Sequence, residues 1–398
     1  MEYMTVREAA KKWDISERLV QKYCAQGRIA GVIKLGVAWG IPKNAKKPVD
    51  PRRRKGFSEQ FSEYDSISYP GLMPLVNTKF EPGRCKETIN AMEKGAARDI
   101  AFAEYHYFSG RAEEAAREAE LYLTSPDMYI RLSACFIYAY ANLSIGEIQR
   151  ARYALAEVKS TLGGAEGASD EMRAAEGFIN AAAAVLLHLP LPEGLPPCRE
   201  FLPDLPHGIR AFALYVQAHY LYLRNEYDKS LGVVEATFAM GAQDYPIPAI
   251  YLHLVAVMDY MSLRRKKQAE EHLLAAWELA RPDDLIEGFG EHHGLLGGML
   301  EAVIKPEWPE DFKRIIDITY RFSAGWRKVH NPYTGHDVAD NLTTTEFAAA
   351  MLAARGWTNQ EIGEHMNISQ HTVKRHISAA MQKLGISRRQ DLKKYMLR

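Results

Sequence analysis

Residues 342–385 read LTTTEFAAAMLAARGWTNQEIGEHMNISQHTVKRHISAAMQKLG, and they predict the fold of the C-terminal end of the chain. It contains two capping boxes, Thr343-x-x-Glu346 and Thr358-x-x-Glu361. In such a box the threonine hydroxyl and the glutamate carboxylate bond backbone amides that the first turn of a helix leaves unpaired. Each box therefore predicts the start of a helix.

A third helix is predicted from Ser369, a good N-cap residue, to about Leu384, where Gly385 ends it. The short link Asn367–Ile368 makes a tight corner before this helix. Apolar residues recur along it with a 3.6-residue period and form one stripe: Val373, Ile377, Ala380, Met381 and Leu384. The remaining face and its flank carry side chains that form hydrogen bonds: His371, Thr372, Lys374, Arg375, Ser378 and Gln382.

The major groove of DNA admits one α-helix, and side chains of this kind read the edges of its bases. The pattern therefore predicts a helix-turn-helix whose last helix is the recognition helix. The alternative is a three-helix bundle whose polar face only meets water.

In order and spacing, this segment closely resembles the C-terminal domain of LuxR/GerE-type bacterial transcription regulators. The matching positions are Thr343, Glu346, Gly356-Trp357-Thr358-Asn359, Glu361-Ile362, Thr372-Val373-Lys374 and Lys383-Leu384-Gly385. The resemblance implies that Lys374, Arg375 and Ser378 face the bases, although Ser378 is shorter than the basic residue sometimes found there. Phosphates are expected at the N-terminus of the second helix, at Thr358 and Asn359, and at Lys383. His376 lies beside the apolar stripe and is interpreted as structural.

Residues 1–50 contain a second, smaller pattern of the same kind. Thr5-x-x-Glu8 is a capping box, and Ser16 to Gly27 predicts a second helix with Arg18, Gln21 and Lys22 facing outward. Residues 29–41 predict a hairpin that turns at 36–38. The whole is similar to the winged helix-turn-helix of MerR or excisionase type, which implies DNA binding through those three side chains. The wing turn lacks a basic or hydroxyl residue, so a protein-contact role is the alternative.

Between the two ends lies a helical body, predicted for residues 87–338. Four helix-to-helix corners repeat along it, at Gly110, Gly146, Asn225 and Arg264, with intervals of 36 and 39 residues within the two pairs. The pattern is similar to tetratricopeptide-type repeats, which stack into a solenoid with a concave binding face. We expect this body to sense an effector or bind a partner; the alternative is a spacer and dimerisation body.

Residues 51–86 are a basic, proline-broken connector, whose apolar stretch 69–76 should pack on the body.

The distribution of charge agrees with two nucleic-acid-binding ends. Residues 1–55 hold 14 Lys and Arg against 5 Asp and Glu, and residues 341–398 hold 9 against 4. The middle holds 27 against 41, so an overall net charge of zero conceals two basic ends on an acidic body. Basic ends favour DNA phosphates, and the acidic body should discourage non-specific binding.

Catalytic and metal-binding patterns are not found in the sequence. It has no phosphate-binding loop, dinucleotide fingerprint, H-E-x-x-H or G-x-S-x-G, so no enzyme activity and no cofactor are predicted. The four cysteines, Cys24, Cys85, Cys135 and Cys198, have no C-x-x-C spacing, so neither a metal site nor a disulfide framework is indicated. Adjacent His292 and His293 point about 100° apart on a helix and do not form a metal site.

The sequence thus predicts a mainly α protein: a winged helix-turn-helix (1–50), a connector (51–86), an α-solenoid of helix pairs (87–338) and a four-helix LuxR-type domain (339–398). We expect a cytoplasmic, sequence-specific regulator that binds double-stranded DNA and no membrane. A homodimer is expected, paired partly through a helix at 388–397 by Leu392, Tyr395 and Met396, with half-sites about one helical turn apart. The alternative is a protein scaffold whose terminal domains contact other proteins.

Overall fold

The structure is a computed structural model that describes residues 3–13, 32–35, 38–43, 72–163, 169–187, 191–330 and 342–396, together with residues 17, 20, 21, 24, 29 and 45. Its internal contacts divide the chain into two compact units, residues 1–68 and residues 69–398. The described part is mainly α-helical, as predicted. None of its helices is both long and apolar enough to span a membrane.

The N-terminal unit contains β1 (Tyr3–Met4), α1 (Val6–Trp13), β2 (Ile33–Leu35) and β3 (Ala38–Pro42). The capping box is present, because the Thr5 amide donates to Glu8 Oε2 at 2.7 Å and the Glu8 amide donates to Thr5 Oγ1 at 3.2 Å. The predicted hairpin is confirmed as β2 and β3, which pair antiparallel. β1, which the sequence patterns do not predict, pairs with the other edge of β3 and makes a three-stranded sheet.

The predicted second helix of this unit is described only at single positions. Residues 17, 20, 21 and 24 are helical, and Gln21 is exposed as predicted; Val20 and Cys24, on the other side, are buried. Arg18, Lys22 and the turn at 36–37 lie outside the described residues.

The larger unit begins with a series of helices joined by short turns. They are α2 (Cys85–Ala91), α3 (Ala96–Phe108), α4 (Ala112–Glu120), α5 (Met128–Ser144), α6 (Ile148–Gly163), α7 (Asp170–Leu186), α8 (Cys198–Phe201), α9 (His207–Leu223), α10 (Tyr227–Ala239), α11 (Pro246–Ser262), α12 (Lys266–Ala280), α13 (Glu287–Glu291), a π-helical turn (Leu300–Ile304), α14 (Lys305–Glu307) and α15 (Pro309–His330).

Four of the connections share one geometry. Gly110, Gly146, Asn225 and Arg264 join α3 to α4, α5 to α6, α9 to α10 and α11 to α12, and all have positive φ, between 59° and 82°. In each, the amide of the following residue donates to the carbonyl five positions earlier, as Arg265 does to Tyr260 at 2.8 Å. This is the Schellman arrangement, which ends a helix and turns the chain. The four predicted corners therefore join helix pairs, while their likeness to tetratricopeptide repeats stays a prediction.

The described part of the apolar stretch before α2 packs on the body, as predicted, since Leu72, Met73, Leu75 and Val76 are buried. The fully buried Glu104 of α3 holds this segment, because its Oε2 accepts the Val76 amide at 2.9 Å. Burial raises the pKa of Glu104 to about 8, although the amides of Val76 and Leu75 act to lower it.

This pKa predicts a pH-dependent stability. The unfolded chain releases the proton near the ordinary value of 4.5 and the folded chain near 8, so folding takes up a proton between these values. The free energy of unfolding should therefore fall as pH rises from 4.5 to about 8. Glu104→Gln, which keeps an acceptor without the charge, is expected to reduce that fall in urea unfolding at pH 5 and pH 8. Exposed Glu93→Gln is the control; an equal pH dependence in both variants would refute the assignment.

The C-terminal segment contains α16 (Thr344–Ala354), α17 (Asn359–Met366), α18 (Gln370–Lys383) and α19 (Lys393–Met396). Both capping boxes are formed, with Thr343 and Thr358 as N-caps, and Ser369 caps α18. The three predicted helix starts are therefore confirmed.

The predicted helix at 388–397 is wrong in its bounds. A 3₁₀ turn, Arg389–Leu392, precedes the short α19. Arg389 is held there because its guanidinium donates to the Trp357 carbonyl. Two residues predicted to pair copies, Leu392 and Met396, are instead buried in the core of their own unit, because they cover the apolar side of α16.

Candidate nucleic-acid interface

The predicted recognition helix is α18, and its two faces differ as the sequence predicts. Its apolar stripe faces α16 and α17, where Val373, Ile377 and Ala380 are buried and Leu384, just beyond its last turn, is buried too. The opposite side is open to solvent. Exposed there are His371, Lys374, Arg375, Ser378 and Gln382. Packing therefore fixes the rotation of α18 and presents these side chains together.

Thr372 differs from its exposed neighbours on α18. It is half-buried, its amide donates to Ser369 Oγ at 3.0 Å, and its hydroxyl lies 2.8 Å from the same oxygen. The two residues together cap the helix. Thr372 thus helps to hold the N-terminal end of α18.

The corner between α17 and α18 depends on two unusual backbone positions. Asn367 adopts the left-handed conformation with φ 55°, and the Ile368 amide donates to the Gly363 carbonyl at 3.0 Å. A Cβ on Gly363 would lie 2.8 Å from the Ile368 carbonyl oxygen. Only glycine lets the chain turn back this closely on α17.

Gly363→Ala is therefore expected to shift α18 and to lower the free energy of unfolding by about 1–3 kcal/mol, because the added methyl group meets backbone. Gly232→Ala in α10 is the matched control, since a Cβ there meets nothing within 4 Å. Urea unfolding of both variants checks this. Equal stabilities would contradict a close approach at the corner.

The N-terminus of α17 is the predicted phosphate contact. Thr358 is exposed, and its hydroxyl accepts the Glu361 amide at 3.2 Å. Hydrogen bonds from the amide and hydroxyl of Thr358 lower the pKa of Glu361. Asn359 is half-buried and accepts a hydrogen bond from Arg389.

Two arginines that are not among the predicted contacts lie at this turn. Arg389 donates to the Trp357 carbonyl at 2.5 Å as well as to Asn359. Arg264, from the corner between α11 and α12, donates to the Gly356 carbonyl at 2.5 Å, and its Nη1 lies 3.8 Å from Glu361 Oε1. The adjacent arginines at 388 and 389 form a basic pair that can be seen in the sequence. No local sequence pattern predicts that Arg264 lies at this turn.

Lys383, the other predicted phosphate contact, has a partner inside the domain. Its Nζ lies 2.6 Å from Glu346 Oε2, and the same carboxylate accepts the Thr343 amide at 2.8 Å. Burial acts to raise the pKa of Glu346, but the bonds from Lys383 and Thr343 outweigh it and the pKa is lowered. Lys383 therefore ties the end of α18 to the start of α16, with about a third of its side chain still exposed.

His376 is half-buried, which agrees with its interpretation as structural. Burial, followed by the neighbouring charge of Arg375, lowers its pKa. His376 therefore adds no positive charge to the outward face at neutral pH.

The C-terminal helices pack against the helical body within the larger unit. Arg355, at the end of α16, donates to the Tyr222 hydroxyl at 2.8 Å and to the Leu295 carbonyl at 2.9 Å. His365 of α17 lies 3.0 Å from the Gly297 carbonyl. A Cβ on Gly294 would lie 2.3 Å from the Phe347 ring, so α16 approaches the body closely. These contacts leave the outward face of α18 uncovered.

The described residues contain no cluster of His, Cys, Asp and Glu able to hold a metal ion. His292 and His293 bond separate groups: Nε2 of His292 lies 2.9 Å from the Tyr215 hydroxyl, and Nε2 of His293 lies 2.9 Å from Glu301 Oε1. The pair is structural in this arrangement.

Comparison with known proteins identifies the C-terminal segment. Residues 340–396 match the family model of bacterial regulatory proteins, luxR family. The chain is also 41% identical over 54 residues to a probable transcriptional regulatory protein, SgaR, of Hyphomicrobium methylovorum. That alignment covers 14% of this chain and 26% of the relative. The family match thus covers the helix-turn-helix segment, and the aligned stretch spans about a quarter of the length of the relative.

Proposed function

We propose that this protein is a sequence-specific transcription regulator whose α18 enters the major groove and reads base edges with Lys374, Arg375 and Ser378. The observation that carries the proposal is the outward face of α18, which is exposed and polar and lies within the residues that match the luxR family model. Phosphates are contacted beside this helix, at Thr358, Asn359 and Lys383. His371 and Thr372 lie at the start of the same face.

The test is selection of bound sequences from random duplex DNA by the full-length chain and by a Lys374→Ala/Arg375→Ala double variant. An enriched motif that the double variant loses would support α18 as the reader. A motif that survives would transfer the reading role to residues 1–50, where Arg18, Gln21 and Lys22 are the candidates. Absence of DNA binding by the natural chain would favour the scaffold alternative.

A salt titration adds a second criterion. DNA binding releases counterions, so a plot of the logarithm of affinity against the logarithm of salt concentration should have a slope of about −0.9 per neutralised phosphate. A flat dependence would contradict a nucleic-acid partner.

The helical body has a regulatory role in this proposal. A cavity of about 280 Å³ lies beside α7, α8 and α9, with an apolar lining that includes Phe178, Val185 and Phe201 and the polar side chains of Gln217 and Tyr220. Binding sites for small molecules have this composition. A thermal-shift screen of small apolar compounds should give hits that Ala213→Phe, which fills the cavity, abolishes; hits unchanged by that substitution would reject the site.

We further propose that two copies bind neighbouring half-sites about one helical turn apart. Because Leu392 and Met396 are buried, the copies do not pair through them, while Tyr395 remains exposed. The mass of the chain free and bound to its selected DNA would test this; a single copy on the full site would refute it.

A further inference from the structure

The corner between α11 and α12 differs in charge from the other three corners of the same geometry. Its four residues, 264–267, are Arg-Arg-Lys-Lys. The equivalent four residues are Gly-Arg-Ala-Glu at 110–113, Gly-Glu-Ile-Gln at 146–149 and Asn-Glu-Tyr-Asp at 225–228. Those three corners together carry one cation and four carboxylates. Four consecutive cations therefore stand at one corner of a body that is otherwise acidic.

The backbone at this corner does not favour the residue that occupies it. Arg264 has φ 59°, a conformation that glycine and asparagine, the residues at the other three corners, adopt more readily. A side chain kept in a disfavoured conformation suggests that the side chain itself has a role. Arg264 directs its guanidinium to the Gly356 carbonyl, two residues before the N-cap of α17. The basic corner is thus joined to the turn at which DNA phosphates are proposed to bind.

The cations that follow Arg264 are available to a partner. Arg265 and Lys267 are exposed; 87% of the Lys267 side chain is accessible, and its Nζ lies 3.8 Å from Glu271 Oε1. Glu361, the nearest carboxylate of α17, is already engaged by Thr358 and Arg264. The corner therefore presents exposed positive charge beside the start of α17.

We propose that the corner 264–267 is part of the DNA-binding surface and contacts the phosphate backbone next to the phosphates held at the N-terminus of α17. This inference rests on the proposed function. Along one strand a phosphate occurs every 3.4 Å of helix axis, so a backbone that passes Thr358 continues within reach of long side chains on an adjoining corner. Arg264 joins the two surfaces, and Arg265 and Lys267 contact phosphate. The helical body, and not only the helix-turn-helix, then binds DNA.

The test is the salt dependence of DNA binding by the full-length chain and by an Arg265→Ala/Lys267→Ala double variant. Two lost phosphate contacts should lower the log–log slope by about 2 and weaken binding at low salt on the order of tenfold. Because phosphates carry no sequence information, selected and random duplexes should lose affinity alike. Charge reversal, Arg265→Glu/Lys267→Glu, should enlarge both effects.

The matched control is Arg150→Ala/Arg152→Ala, which removes two exposed cations from the start of α6, the second helix of another pair. It should leave the slope unchanged. If the natural chain binds DNA with a steep salt dependence and the 265/267 variants keep the same slope, the corner is not a DNA contact and the inference fails alone. If the natural chain binds no DNA, both this inference and the proposed function fail.

Discussion

Arg375→Ala is expected to weaken binding to the selected DNA sequence by about 1–3 kcal/mol and to relax the base preference at one position. Arg375 is exposed on the outward face of α18, and a guanidinium in the major groove can donate two hydrogen bonds to one guanine. Random duplex DNA offers no fixed guanine at that position, so its binding should change much less. Binding isotherms on the two kinds of duplex measure the difference.

The control for this prediction is Lys394→Ala. Lys394 is an exposed cation of the same segment, 3.3 Å from Asp391 and outside α18. The Lys394→Ala variant removes one positive charge, as Arg375→Ala does, but leaves the outward face of α18 unchanged. It should therefore keep the base preference of the natural chain. Equal losses on selected and random DNA for Arg375→Ala would assign this residue to the phosphates instead.

Arg355→Leu is expected to lower the free energy of unfolding by about 2–4 kcal/mol. The guanidinium supplies donors to the Tyr222 hydroxyl and the Leu295 carbonyl, two groups of the helical body, and leucine supplies none. A buried polar group that loses its partner keeps the full cost of leaving water. Urea unfolding followed by circular dichroism measures the change.

Arg355→Lys is the graded control, because an ammonium keeps the charge but not the planar set of donors. Its stability should lie between those of the natural chain and the leucine variant. If the leucine variant were as stable as the natural chain, these hydrogen bonds would not stabilise the attachment of α16 to the body.

The helices of the C-terminal segment could be predicted from the sequence because the signals that start and end them are local. A capping box joins residues three positions apart, and the apolar stripe of α18 repeats every three or four residues. The starts of α16, α17 and α18 and the buried and exposed faces of α18 therefore agree with the structure. The corners of the helical body follow the same logic, since a Schellman turn involves six consecutive residues.

The predicted helix at 388–397 shows where local signals were insufficient. Its pattern predicts a continuous helix with an apolar side for a second copy. In the structure Arg389 bonds the turn before α17, some thirty residues earlier, and Leu392 is buried on its own unit. An apolar residue on a short segment packs on whichever apolar surface lies next to it in the fold. The local sequence pattern does not tell whether that surface belongs to the same unit or to a second copy.

Three features follow from the sequence alone: the chain is mainly helical, four corners repeat along its body, and α18 has one apolar and one polar face. These features depend on hydrogen bonds and side-chain spacings within one or two helical turns. Only the tertiary structure brought Arg264 and Arg389 to the turn before α17, from about 90 residues before it and 30 residues after it. Cations so far apart form one surface only when packing brings their helices together, and packing depends on the shapes of whole helices and not on the order of neighbouring residues.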